Sequence, residues 1–135
     1  MLAPSIETIR LFIHVLTASV WVGGQIVLAG IVPGLRKLGP EATKAAANGF
    51  ARVAWPAFVI AFATGIWNLL AVEASSSTAY NATLGIKVLL VTAAGGAAFQ
   101  HSRTSSTAMK AITGATGAVA SVIVLFLGVL LSNPS

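Results

Sequence analysis

The chain has 135 residues, 56% apolar and 8% charged, with eight basic side chains against three acidic ones and no cysteine. That length allows one domain, and so few charges cannot form the hydrated shell that a soluble core of this size needs. The composition is that of an integral membrane protein; it excludes a disulfide framework, a thiolate metal site and thiol redox chemistry, and the net charge of +5 sits on no folded basic module that would bind nucleic acid.

A hydrocarbon core about 30 Å thick takes about 20 apolar helical residues. Windows near that length lie at residues 8–32, 50–72, 82–101 and 112–132. Irregular backbone facing lipid cannot satisfy its own hydrogen bonds, and the runs are too long and unalternating for barrel strands. The expected fold is therefore all-α, a single four-helix integral membrane bundle over residues 1–135.

The first span, within "IRLFIHVLTASVWVGGQIVLAGIVPGL", has an apolar run longer than that of a signal peptide and is read as retained. At about 100° per residue, His14, Thr17, Trp21 and Gln25 fall in one arc, a polar stripe on an otherwise lipid-like helix. His14 lies roughly 9 Å below the outer end of the span. An ionisable group at such a depth is costly enough to suggest a ligand, proton or pore role, the bland alternative being a hydrogen bond to Thr17 or a carbonyl. The connection "PGLRKLGPEATKAAANG" contains Pro40, Glu41 and many alanines, which predicts an interfacial helix feeding the second span.

The second span carries Trp55 and Trp67 at its two ends, where they read as interface belts, while Trp21 is deeper and is expected beside the His14 site. "EASSSTAYN" leads to the third span, with Glu73 as a loop charge within reach of Lys87. Lys87, Ala94, Ala98 and His101 share a face of that span, and its small middle leaves room for a neighbouring helix or a flat ligand. Lys87 lies roughly 7 to 8 Å below the outer surface, level with His14, so the two polar stripes are expected to confront each other. Alternatively, Lys87 snorkels to the interface as an anchor. His101 is on the order of 20 Å further down, too far to clamp one haem with His14, and reads with Gln100 and Arg103 as interfacial. After "SRTSSTAMK", the fourth span shows Gly114, Ala118, Ser121 and Gly128, a small-residue seam for close packing inside the bundle or between protomers of a homo-oligomer.

Six bases, Arg36, Lys37, Lys44, Arg52, Arg103 and Lys110, flank two of the connections, against Arg10 and Lys87 on the other side. That asymmetry predicts a multi-pass protein of the cytoplasmic membrane with both termini outside. Its partner in the first instance is the lipid bilayer.

The segment "HVLTASVWVGGQIVLAGIVPGLR" resembles the first helix of the copper resistance D (CopD) family in its His, the Trp seven residues later, the Gly pair and the Leu-Arg that follows. "FARVAWPAFVIAFATGIWNLL" is similar to that family's second helix, with an early Arg and a late Thr-Gly. "YNATLGIKVLLV" is similar to the start of its third, with Tyr, Leu and Lys. The likeness covers about the first 100 residues, and its motifs are modest singly but ordered. The same positions resemble the HemJ-type protoporphyrinogen oxidases, four-helix membrane proteins associated with b-type haem, whose first-helix His and third-helix Lys fall on His14 and Lys87. "KVLLVTAAGGAAFQH" ends in a His at about the spacing that family shows. Where HemJ proteins have a Pro-Arg-Leu run after the first helix, this chain reads "VPGLRKLG".

The CopD resemblance implies assistance in copper uptake or resistance, with His14 as the metal contact, His101 the lesser candidate, and the polar stripe as a path inward. Copper(I) favours thiolate and thioether ligands, and the chain offers no Cys and only Met1 and Met109. The HemJ resemblance implies a haem b on His14, lying against the small face of span three around Ala94, with Lys87 pairing a propionate or supplying a second ligand. One His suffices to hold a haem iron. A third reading is an accessory or scaffold subunit. An enzyme is not the leading expectation, because the chain has no Ser-His-acid set and no phosphate loop. Were it one, it would be a HemJ-like haem-dependent oxidoreductase.

Overall fold

The structure, a computed structural model, describes residues 3–71 and 77–133. Met1 and Glu73 lie outside the described residues, so the expected approach of Glu73 to Lys87 does too. The chain forms helices α1 (Ile6–Lys37), α2 (Pro40–Ala71), α3 (Thr78–Arg103) and α4 (Thr107–Ser132). All four are long and apolar enough to cross a membrane. The protein is all-α and multi-pass. With 32, 32, 26 and 26 residues, the helices run about 39 to 48 Å, more than the hydrocarbon thickness, so their ends reach the headgroup layer.

Local chemistry sets the ends. Ser5, Ser77 and Ser106 each accept a hydrogen bond from the backbone N–H three residues on, at 3.1, 3.4 and 3.3 Å, and so cap α1, α3 and α4. Glu7 in the first turn of α1 and Arg36 and Lys37 in its last complement the helix dipole. Gly39, at φ 110°, takes the left-handed conformation that reverses the chain after Leu38. Pro40 then starts α2 directly, since a proline at the first helical position gives up no needed donor. The interfacial helix expected after residue 40 is thus the first part of α2 itself.

The chain divides into two compact units, Met1–Glu73 and Ala74–Ser135, each a helical hairpin. In the first, α1 packs on α2 through Trp21, Val22, Ala54 and Ala57. The Trp21 ring lies 4.6 Å from Phe58 and 5.6 Å from Trp55, centroid to centroid. Trp55 therefore belongs to the hairpin's aromatic cluster. Gly24 is the next close point: a methyl there would overlap the Phe50 ring.

In the second unit the small faces meet. A methyl on Gly117 would lie 3.6 Å from the Ala97 Cβ and 3.7 Å from the Ala94 carbonyl oxygen. The room left by small residues on α3 is taken up there by α4. The expected seam is used inside the hairpin: Ser121 is buried, Gly114 lies against His101 and Gly128 against Lys87. Large apolar side chains on both hairpins, such as Phe12 at 63% exposure and Phe126 at 60%, point outward as acyl-chain contacts do.

Candidate functional site

The first hairpin turns the α1 polar stripe onto α2. His14 is half-buried, and its Nδ1 lies 2.9 Å from Thr64 Oγ1. The Thr64 hydroxyl has one proton, which it directs to the Ile60 carbonyl at 2.7 Å or the Ala61 carbonyl at 3.1 Å. Its oxygen can then only accept, so the His14 Nδ1 carries the hydrogen. In the neutral ring the lone pair falls on Nε2, the atom that a metal or haem iron takes. Gly65, beside Thr64, makes space for the ring: a Cβ there would lie 3.3 Å from His14 Cε1.

The rest of the stripe follows at helical spacing. Thr17 is buried and returns its hydroxyl to the Ile13 carbonyl at 2.8 Å, so Thr17 does not hold the ring. Trp21, two turns along, belongs to the aromatic cluster with Trp55 and Phe58. Gln25 donates to the Trp21 carbonyl at 3.0 Å. The structure thus brings His14, Thr17, Trp21 and Gln25 to one helix face, with α2 opposite the first three.

The other expected site residues fall in the second hairpin. Lys87 is half-buried, its Nζ passing over Gly128, where a Cβ would be 3.3 Å away. Ala94 is buried on the α4 side near Gly117. His101 is exposed and donates from Nδ1 to the Lys110 carbonyl at 2.8 Å, with Thr113 Oγ1 at 3.4 Å. A carbonyl can only accept, which again places the hydrogen on Nδ1. A Cβ on Gly114 would be 3.2 Å from this ring. Each histidine therefore rests over a Thr-Gly pair of the neighbouring helix, Thr64-Gly65 for His14 and Thr113-Gly114 for His101.

Among the described residues no group of three His, Cys, Asp or Glu side chains gathers as a metal cage would require. A lone oriented imidazole can supply one axial ligand to a haem iron or one contact to a passing cation. An apolar depression of the first hairpin, about 460 Å³ between Gly24, Val27, Leu28, Ile31, Gly49 and Phe50, lies toward the turn, away from His14.

In the sequence Thr64 and Gly65 figure only as the late Thr-Gly of the family resemblance and Arg10 only as a topology charge; none of the three is read there as part of the site. Arg10, one turn before His14, is buried at 8% exposure, with its guanidinium carbon 5.8 Å from the Trp67 ring centroid. Family models, curated proteins and solved structures give no match to this chain.

Proposed function

We propose that the chain is a membrane-embedded haem-binding protein in which His14 ligates the iron of a b-type haem through Nε2. The observation that supports this reading is the hydrogen bond from His14 Nδ1 to Thr64. Histidines that ligate metals almost always donate their other ring N–H to a partner that fixes tautomer and orientation. The donor set fits a haem better than a copper cage, since one imidazole holds an iron already bound by a porphyrin, whereas no three ligating side chains gather among the described residues.

Haem would supply one-electron chemistry, making the protein an electron-transfer or oxidoreductase component, in line with the HemJ resemblance. This chain's own residues would set the ring: Thr64 holds the Nδ1 hydrogen, Gly65 leaves space beside Cε1, and the Trp21 cluster keeps the neighbouring turns apolar. The positive-inside pattern supports a topology with the Arg36 to Lys44 turn on the cytoplasmic side of the cytoplasmic membrane and both termini outside.

A CopD-type copper role is the second reading, favoured by the ordered likeness of the first three spans. It requires a second ligand, which another copy of His14 would provide in a homo-oligomer.

The test is the absorbance and metal content of protein purified in detergent from its own membrane. Haem predicts a Soret band that His14→Ala abolishes and His101→Ala retains. Colourless protein with stoichiometric copper that is lost in His14→Ala overturns haem in favour of copper. Protein holding neither, with a co-purifying subunit, overturns both and leaves an accessory role.

A further inference from the structure

We infer that Arg10, with Asn68 and Trp67, forms a receptor for a phosphate group at the end of the first hairpin away from its turn. The inference does not depend on what His14 holds. Arg10 is more than nine-tenths buried, its Nε has no hydrogen-bond partner, and no acid among the described residues pairs with its guanidinium. The Trp67 face is a polarisable neighbour, and at 5.8 Å to the centroid it offsets only a small part of the cost of burying a charge.

Asn68 carries the complementary defect. It lies one turn beyond Thr64 on α2, as Arg10 lies one turn before His14 on α1, so the antiparallel hairpin sets both in the same layer. Its Oδ1 is also sealed from solvent without a donor. One buried group lacks an acceptor and the other lacks a donor. A ligand that satisfies both presents an anionic oxygen next to an O–H or N–H, and a phosphate with a neighbouring hydroxyl or ammonium has that pattern.

Position narrows the source. Arg10 is the fifth residue of α1, about 6 Å from the helix start, the depth at which headgroups meet acyl chains. Around it Ile6, Ile9 and Phe12 are exposed large apolar residues suited to lipid tails, and Trp67 is 46% exposed. A phospholipid headgroup fits this setting, and a free phosphate offers the same oxyanion without the tails.

The experiment uses full-length, delipidated protein with ¹⁵N-labelled arginine in a neutral detergent. The Arg10 Nε–H resonance, assigned by its loss in Arg10→Gln, is followed on adding phosphatidylglycerol, phosphatidylethanolamine, diacylglycerol or inorganic phosphate, and bound lipid is counted by native mass spectrometry. Expected are a saturable shift and slowed exchange with the two phospholipids, none with diacylglycerol, and lipid retention reduced about tenfold or more in Arg10→Gln. Asn68→Leu should weaken retention less. Far-UV circular dichroism and thermal unfolding verify that each variant keeps its fold. A shift with inorganic phosphate at similar concentration assigns the site to free phosphate. An Nε–H signal indifferent to every probe, an equal response to diacylglycerol, or undiminished retention by Arg10→Gln overturns the inference.

Discussion

Replacing Thr64 by Val keeps the side-chain shape and removes the oxygen that holds the His14 ring. In the native hairpin the Nδ1 to Oγ1 distance is 2.9 Å and the hydroxyl proton is engaged with the Ile60 carbonyl at 2.7 Å. The valine leaves a half-buried N–H without this acceptor, a loss of about 1–3 kcal/mol in a soluble core. Side-chain hydrogen bonds inside membrane proteins average about 0.6 kcal/mol with a maximum near 1.7, because the open hairpin finds other partners. A double-mutant cycle of His14→Ala with Thr64→Val should therefore give a coupling of about 0.6–1.7 kcal/mol.

The assay is unfolding in mixed detergent micelles, read from the fluorescence of Trp21 beside Trp55 and Phe58. Gly65→Ala sharpens the test. The added carbon would sit 3.3 Å from His14 Cε1, so the ring must yield by a few tenths of an ångström while Thr64 holds it. In the Thr64→Val background the ring turns away, and the cost of Gly65→Ala should fall. A His14–Thr64 coupling below about 0.3 kcal/mol, the scatter of independent sites, would refute the reasoning.

The His101 ring, bonded to the Lys110 carbonyl at 2.8 Å, should show its hydrogen on Nδ1 in ¹⁵N spectra at a pH where it is neutral; an Nε2–H pattern contradicts the assignment. Gly24→Val drives a branched side chain into the Phe50 ring and should lower stability by about 1–3 kcal/mol, with no loss counting against the close helix contact. Gly117→Leu should separate α3 from α4, because even a methyl would already touch Ala97 and the Ala94 carbonyl. Disulfide trapping between cysteines introduced at Ala97 and Gly117 should be fast in an otherwise native chain, and slow trapping would count against that contact. Ser106→Ala removes the hydroxyl that caps α4 at Met109 N–H and should cost about 1 kcal/mol of hairpin stability.

The four spans were legible because lipid demands long apolar helices, and each window falls inside an observed helix or overruns its end by a residue. The ends were less so: hydropathy stops at charges, whereas α1 runs on through Arg36 and Lys37 and α2 begins at Pro40, since basic side chains and a first-turn proline are compatible with helix at an interface. The α1 stripe could be read from its spacing, but its partner could not. Long-range facing depends on where the chain turns, and only with Gly39 fixed as the reversal does His14, 25 positions before it, meet Thr64, 25 positions after. In the sequence alone Arg10 stands as a topology charge. Its burial follows from the same antiparallel register and left no trace in the local sequence.

The polar side chains of this chain divide by how they meet the apolar surroundings. Thr17, Ser19, Thr83, Thr92, Thr113 and Ser121 return their hydroxyls to the carbonyl four residues earlier, at 2.6 to 2.9 Å, and so sit in a span at little cost. His14 does not do this: its ring N–H reaches across to Thr64 on another helix. Arg10 is further out of balance, with a buried Nε and no acceptor. Both lie on one face of α1, one turn apart. A hairpin needing only stability would place an apolar residue at Arg10, as it does at Trp21, Val22, Ala54 and Ala57, so the unpaired Arg10 Nε is where a ligand has something to supply.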